Sequence, residues 1–250
     1  MKRTGLFVVV LIFLFSGNSF SQIVWKMHRY EAEAGLGGTF YMGDIGTITP
    51  TDNLLGLKDV AFRFTRPVVH AGFRYKLYKK IAIKLNLNLA WIYGDDQYGS
   101  NDRRGYVFTS TLFESTLQGE YYIIADKSAN NYLMMKNKGV IPFGSFISLY
   151  GFAGLGPVFS TPKIKEDPYN RAIANPKHVT MAFPLGLGLK YGLTPKWKLG
   201  FELGIRYTLS DELDAFTSQY SHANDVYYFA TFHATYLIKT ARNGWPSFRK

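Results

Sequence analysis

From Trp197 to Thr208 the chain alternates without a break. Trp197, Leu199, Phe201, Leu203, Ile205 and Tyr207 are large and apolar, whereas Lys198, Gly200, Glu202, Gly204, Arg206 and Thr208 are charged, small or hydroxylated. Successive side chains leave a strand on opposite faces, so a period of two over this length predicts a strand with one oily face. That face opens on Trp and closes on Tyr, residues suited to the two borders of a lipid layer.

The pattern recurs along the chain and predicts strands at 30–42, 68–78, 81–93, 108–124, 147–159, 179–191, 197–208 and 226–238. In 68–78, Val69, Ala71, Phe73, Tyr75 and Leu77 point outward and His70, Arg74 and Lys76 inward. In 81–93, Ile81, Ile83, Leu85, Leu87 and Leu89 oppose Lys84, Asn86 and Asn88. Segment 147–159 is so rich in glycine that its faces cannot be told apart. Tight turns at Lys79-Lys80 and at 192–196 contrast with long polar connections at 43–67, 94–105, 160–178 and 209–225. Eight such strands, with long loops at one end, predict an all-β fold: an eight-stranded antiparallel transmembrane β-barrel of the OmpA/OmpX kind. The outward aromatics sort into two belts, Tyr30, Tyr75, Tyr121, Tyr191, Trp197 and Tyr236 at one border and Phe40, Trp91, Tyr93, Tyr207 and Tyr228 at the other. A soluble sandwich or lipocalin-like barrel also alternates, but its aromatics have no reason to collect at strand ends.

Composition agrees, with 24 Gly, 18 Tyr and 20 Phe among 250 residues. Residues 1–21 read as a secretory signal peptide: Lys2 and Arg3 precede an apolar run from Gly5 to Phe15, and Ser19-Phe20-Ser21 offers small residues for cleavage. The run is short of the ~20 residues that span a bilayer as a helix. With no Cys there is no lipid-attachment site, no disulfide and no thiolate metal site. The expectation is an exported barrel, residues 22–250, in the outer membrane with both mature termini and a short C-terminal tail in the periplasm.

The inward face is ionic. Glu31, Glu33, Glu114, Glu120 and Glu202 confront Arg74, Lys76, Lys84, Lys190, Lys198 and Arg206. An eight-stranded barrel is only wide enough for side chains to fill, and buried charges must be paired, so a salt-bridged plug is expected and a channel is not. No nucleophile, base and orienting carboxylate stand out together, and His70 and His233 read as interior polar residues. Gly35 and Gly37, and Gly186 and Gly188, precede no helix and read as relief from crowding, not as phosphate loops. Asp211-Glu212-Leu213-Asp214 lacks an EF-hand spacing and reads as a solvated loop. No catalytic residue, cofactor, metal, nucleic acid or small-molecule substrate is expected.

The formal charge is +11, yet acidic residues outnumber basic ones in the long loops. The excess therefore collects at the other end, at Lys26, Arg29, Lys79, Lys80, Lys127, Lys136, Lys138, Lys196, Lys239, Arg242, Arg249 and Lys250. Leu133, Met134 and Met135 lie among those lysines, and the tail adds Trp245 and Phe248. Two readings stand: a solvated face that attracts anionic lipid, or a docking surface for a periplasmic partner, with Lys79, Lys80, Leu133, Met134, Met135, Lys136, Lys138, Lys239, Arg242 and Trp245 as its residues.

Several stretches resemble the PorG-type outer-membrane barrels of the Bacteroidota type IX secretion system: Gly37 to Asp44, Phe152 to Gly156, Pro184 to Tyr191, Asn224 to Tyr228, and above all Gly200 to Asp214. The resemblance runs through most of the mature chain in the same order. It implies an outer-membrane component, bound to a periplasmic ring lipoprotein and ring subunits, that supports cargo export and the export of gliding adhesins. It carries over no catalytic residues and does not say which residues meet the ring. The alternative is a structural or adhesive surface barrel whose outer loops bind a ligand.

Overall fold

Alternation of faces governs every long strand of the chain. The computed structural model describes residues 25–42, 45, 62–98, 105–125, 146–169, 173, 176, 178–194, 196–210, 212–216, 224–241 and 243–247. Eight long strands, β1 (Tyr30–Met42), β2 (Arg66–Lys76), β3 (Ile81–Asp95), β4 (Val107–Ile124), β5 (Ile147–Glu166), β6 (Val179–Gly192), β7 (Trp197–Thr208) and β8 (Val226–Thr240), each pair antiparallel with the next. The pairing of β1 with β8, from Tyr30 opposite Ile238 to Met42 opposite Val226, closes the barrel.

On β3, Ile81, Ile83, Leu85, Leu87 and Leu89 are exposed while Ala82, Lys84, Asn86, Asn88 and Ala90 are buried. Leu36 and Phe232 stand 65% and 69% exposed on the same outer wall. In water such a girdle would far exceed the few hundred Å² of apolar patch that soluble proteins tolerate. The outer wall is the lipid-facing surface of a transmembrane barrel, whose strands satisfy every backbone group internally. No described helix is long and apolar enough to cross a membrane. Border aromatics meet across strands, Tyr30 with Tyr75 and Trp197 with Tyr236, each with ring centroids 5.0 Å apart.

Several expected boundaries shift. The strand expected at 68–78 lies at Arg66–Lys76, because the amides of Leu77 and Tyr78 both donate to the Ile81 carbonyl (3.0 and 3.0 Å) and make the turn. β3 and β5 run past their expected ends into the Gly94 and Ser160 loops, and the β4–β5 pairing continues to Val107 opposite Glu166. These three strands project beyond the wall, so polar residues there are still paired backbone. The tail folds back as a ninth strand, β9 (Pro246–Ser247), against Lys239 and Thr240, and the Tyr30 hydroxyl donates to the Gly244 carbonyl (3.0 Å).

The faces of β5 are settled by burial. Ser148, Tyr150, Phe152, Val158 and Ser160 point inward, and Ala153, Leu155 and Phe159 point out. The interior has two halves. Charged groups fill the half near the termini. The half near the long loops is apolar, with Val68, Ala90, Ile92, Phe108, Leu112, Val158 and Phe229 packed against Ile45, Tyr106, Leu213 and Phe216 from the loops.

Candidate functional site: the filled interior and the basic rim

Arg74 holds the ionic half together. Its Nε and Nη2 donate to the two oxygens of Glu120 (2.6 and 2.8 Å), the fork-to-fork geometry that makes guanidinium–carboxylate pairs strong. Its Nη1 donates to Glu31 (2.9 Å) and Glu33 (2.7 Å), and Glu202 lies 3.6 Å from Nη2. Lys84 Nζ sits 2.6 Å from Glu202 and 3.2 Å from Glu33. Toward the termini Glu31 meets Lys76 (2.6 Å), Lys190 (3.0 Å) and Lys198 (3.9 Å). Toward the loops Glu114 accepts from Tyr227 (2.7 Å) and Asn88 (2.9 Å), with Arg206 Nε at 3.7 Å. All eleven charges singled out from the sequence are therefore buried and joined to a counter-charge, which is the condition for keeping charge out of water.

Aromatic rings fill the space between the charges. Tyr150 stacks on Tyr122 (5.1 Å, 29°), donates to Glu202, and carries the Lys190 ammonium 5.1 Å from its ring centre. Room for it comes from Gly188 directly opposite, and Phe152 is seated in the same way over Gly186 and Gly204. These rings escaped notice in the sequence because glycine hid the alternation of β5.

The mouth near the long loops is also shut. Leu213 and Asp214, expected in a solvated loop, are fully buried. The Leu213 amide donates to Asp225 (2.9 Å), whose other oxygen accepts from the Tyr41 hydroxyl (2.6 Å), and the Phe216 amide donates to Asp214 (2.9 Å). Ala215 takes a left-handed φ of 57° to turn the chain inward. The apolar pocket beneath attracts Leu213 and Phe216, and that pocket could not be seen before the barrel was closed.

The rim at the terminus end is basic and tipped with aromatics. Lys26, Lys79, Lys80, Lys196 and Lys239 are exposed, and between them stand Tyr78 (66%), Leu193 (58%) and Trp245 (69%). Arg29 is tied down, its amide bonded to Thr240 (3.0 Å) and its guanidinium 5.4 Å from the Tyr75 ring centre. His28 is held below the ordinary imidazole pKa, first by burial and then by Lys76, so it adds no charge to the rim at neutral pH. Leu133, Met134, Met135, Lys136, Lys138 and Arg242, and the segment 1–21, lie outside the described residues.

Among curated proteins none matches the sequence. Solved structures similar in architecture include Neisserial surface protein A (8% identity, TM-score 0.45, 83% of this chain and 96% of that one). Others are AlkL in lipid bilayers (14%, 0.44, 91% and 96%) and OprG of Pseudomonas aeruginosa (12%, 0.42, 84% and 97%). At such identities no property of those proteins passes to this chain. In sequence, residues 4–240 match a family described as "Domain of unknown function (DUF6089)", and the chain belongs to that family.

Proposed function

We propose that the protein is an outer-membrane barrel that serves as a membrane anchor for the type IX secretion machinery. In this reading the terminus end faces the periplasm and docks a ring lipoprotein and ring subunits. One observation carries it: the interior is filled from rim to mouth, while the terminus-end rim offers exposed lysines alternating with Tyr78, Leu193 and Trp245. A filled barrel works through its surfaces, and a basic rim with large anchors suits a partner of acidic surface. The resemblance of Gly200 to Asp214 to the PorG-type barrels supplies the identity of that partner. The reading assigns no catalytic step and no cofactor.

Deletion of the gene is expected to stop secretion of type IX cargo, and unimpaired secretion would overturn the reading. Charge reversal at Lys79, Lys80 and Lys239 is expected to lower co-purification of ring proteins while the barrel still inserts.

A second reading, a surface barrel that binds a ligand or matrix, is favoured by the projecting sheet of β3 to β5, where Thr161, Lys163 and Lys165 are exposed. It predicts that trimming 160–166 abolishes function and that rim changes do not.

A further inference from the structure

We propose that Glu33, Glu202 and His233 form a binding site for a divalent transition metal of the zinc class inside the barrel. One donor atom of each lies within 4.8 Å of the other two. The three come from β1, β7 and β8, so only closure brings them together.

His233 is the telling residue. Its side chain is wholly buried, neither ring nitrogen has a hydrogen-bond partner, and Nε2 lies 3.8 Å from Glu33 Oε2. A buried polar ring without a partner opposes folding, so its retention needs a reason. The wall is shaped to seat it. Gly35 and Gly200 are its register partners on either side, a side chain at Gly200 would overlap the ring, and one at Gly35 would press on the His233 Cβ (2.7 Å).

His70 completes the setting from the other side of Gly35. Asn88 Nδ2 donates to Glu114, which turns Asn88 Oδ1 toward His70 Nδ1 (2.9 Å) and makes Nδ1 the protonated nitrogen. His70 Nε2 then faces Glu33 Oε1 at 3.1 Å. The same Glu33 oxygen lies 3.2 Å from Lys84 Nζ. A histidine with its far nitrogen fixed by an outer partner is also the usual preparation of a metal ligand.

Two cations now bridge Glu33 and Glu202, Arg74 and Lys84, and the metal takes the place of Lys84. Two buried acceptors without partners stand ready for the displaced ammonium: Asn86 Oδ1, two residues along β3, and Gln118 Oε1, whose residue is opposite Lys84. Two carboxylates with imidazole nitrogen favour zinc over calcium or magnesium, which prefer all-oxygen cages. Because the three side chains are buried deep in the packed interior, the metal enters as the chain folds.

The full chain is refolded into detergent micelles with zinc(II), and bound metal is measured by elemental analysis after dialysis. One zinc per folded chain is expected, and His233→Ala is expected to weaken retention beyond the about tenfold to hundredfold that loss of an outer partner costs. Lys84→Met is expected to raise retention. Folding is read independently from heat-modifiable gel mobility. Wild type that carries no more zinc than a sample folded with chelator overturns the site, as does a folded His233→Ala variant that holds as much. Should that variant not fold, cobalt(II) substituted into wild type decides: a visible four-coordinate absorption band supports the site, and its absence overturns it.

Discussion

The ring of Tyr150 lies directly over Gly188, its register partner on β6, so that a methyl group at Gly188 would overlap it. Gly188→Ala is therefore expected to destabilise the barrel, whereas Gly188→Ala with Tyr150→Ala regains stability in part. Contacting residues couple, so the double variant should be more stable than Gly188→Ala alone even though the Tyr150–Glu202 hydrogen bond is gone. Urea midpoints for the three chains check this.

Removing Arg74 takes charged hydrogen bonds from Glu31, Glu33 and Glu120 at once. Breaking a buried pair by deleting one partner costs about 3–5 kcal/mol, so Arg74→Met should lower stability by at least that much. Lys198→Met, nearer the rim, gives up a 3.9 Å contact with Glu31 and should cost less. The same urea titration distinguishes the two.

On the outer wall the cost of charge should follow depth. Leu203, in the middle of β7, is expected to lose about 2–4 kcal/mol on change to Arg, and Tyr207 at the border about 0–1 kcal/mol. Equal losses would mean that the wall does not lie in a bilayer.

Planar-bilayer recordings of the purified chain should show no stable pore. Excision of 212–216 removes Leu213 and Phe216 from the mouth but leaves the ionic half intact, so it too should stay closed. Large stable conductance in either chain would contradict a filled interior.

Legibility in the sequence followed the physics of each position. Glu202 and Arg206 were readable as inward because charge in an oily alternation has one place to go. Phe152 and Tyr150 were not, since the glycines around them erase the period. Val68, Ile92 and Phe229 were hidden for a different reason: inside the loop-end half the barrel is apolar on both faces, so polarity no longer marks which way a side chain points. Leu213 looked solvated because the partner of its amide, Asp225, belongs to the far end of the same loop. The grouping of Glu33, Glu202 and His233 had no local spacing to announce it.

Closure of β1 on β8 also sets a test that the chain must pass during assembly. A barrel closed two residues out of step would keep every oily side chain in lipid and every polar one inside, so hydrophobicity could not tell it from the native form. In that slipped barrel Gly35 would no longer stand beside His233, and Glu31 would sit one rung away from the cations supplied by β6 and β7 across the seam. The charged interior thus proofreads the seam: the last strand to arrive fits only where the electrostatic ledger balances.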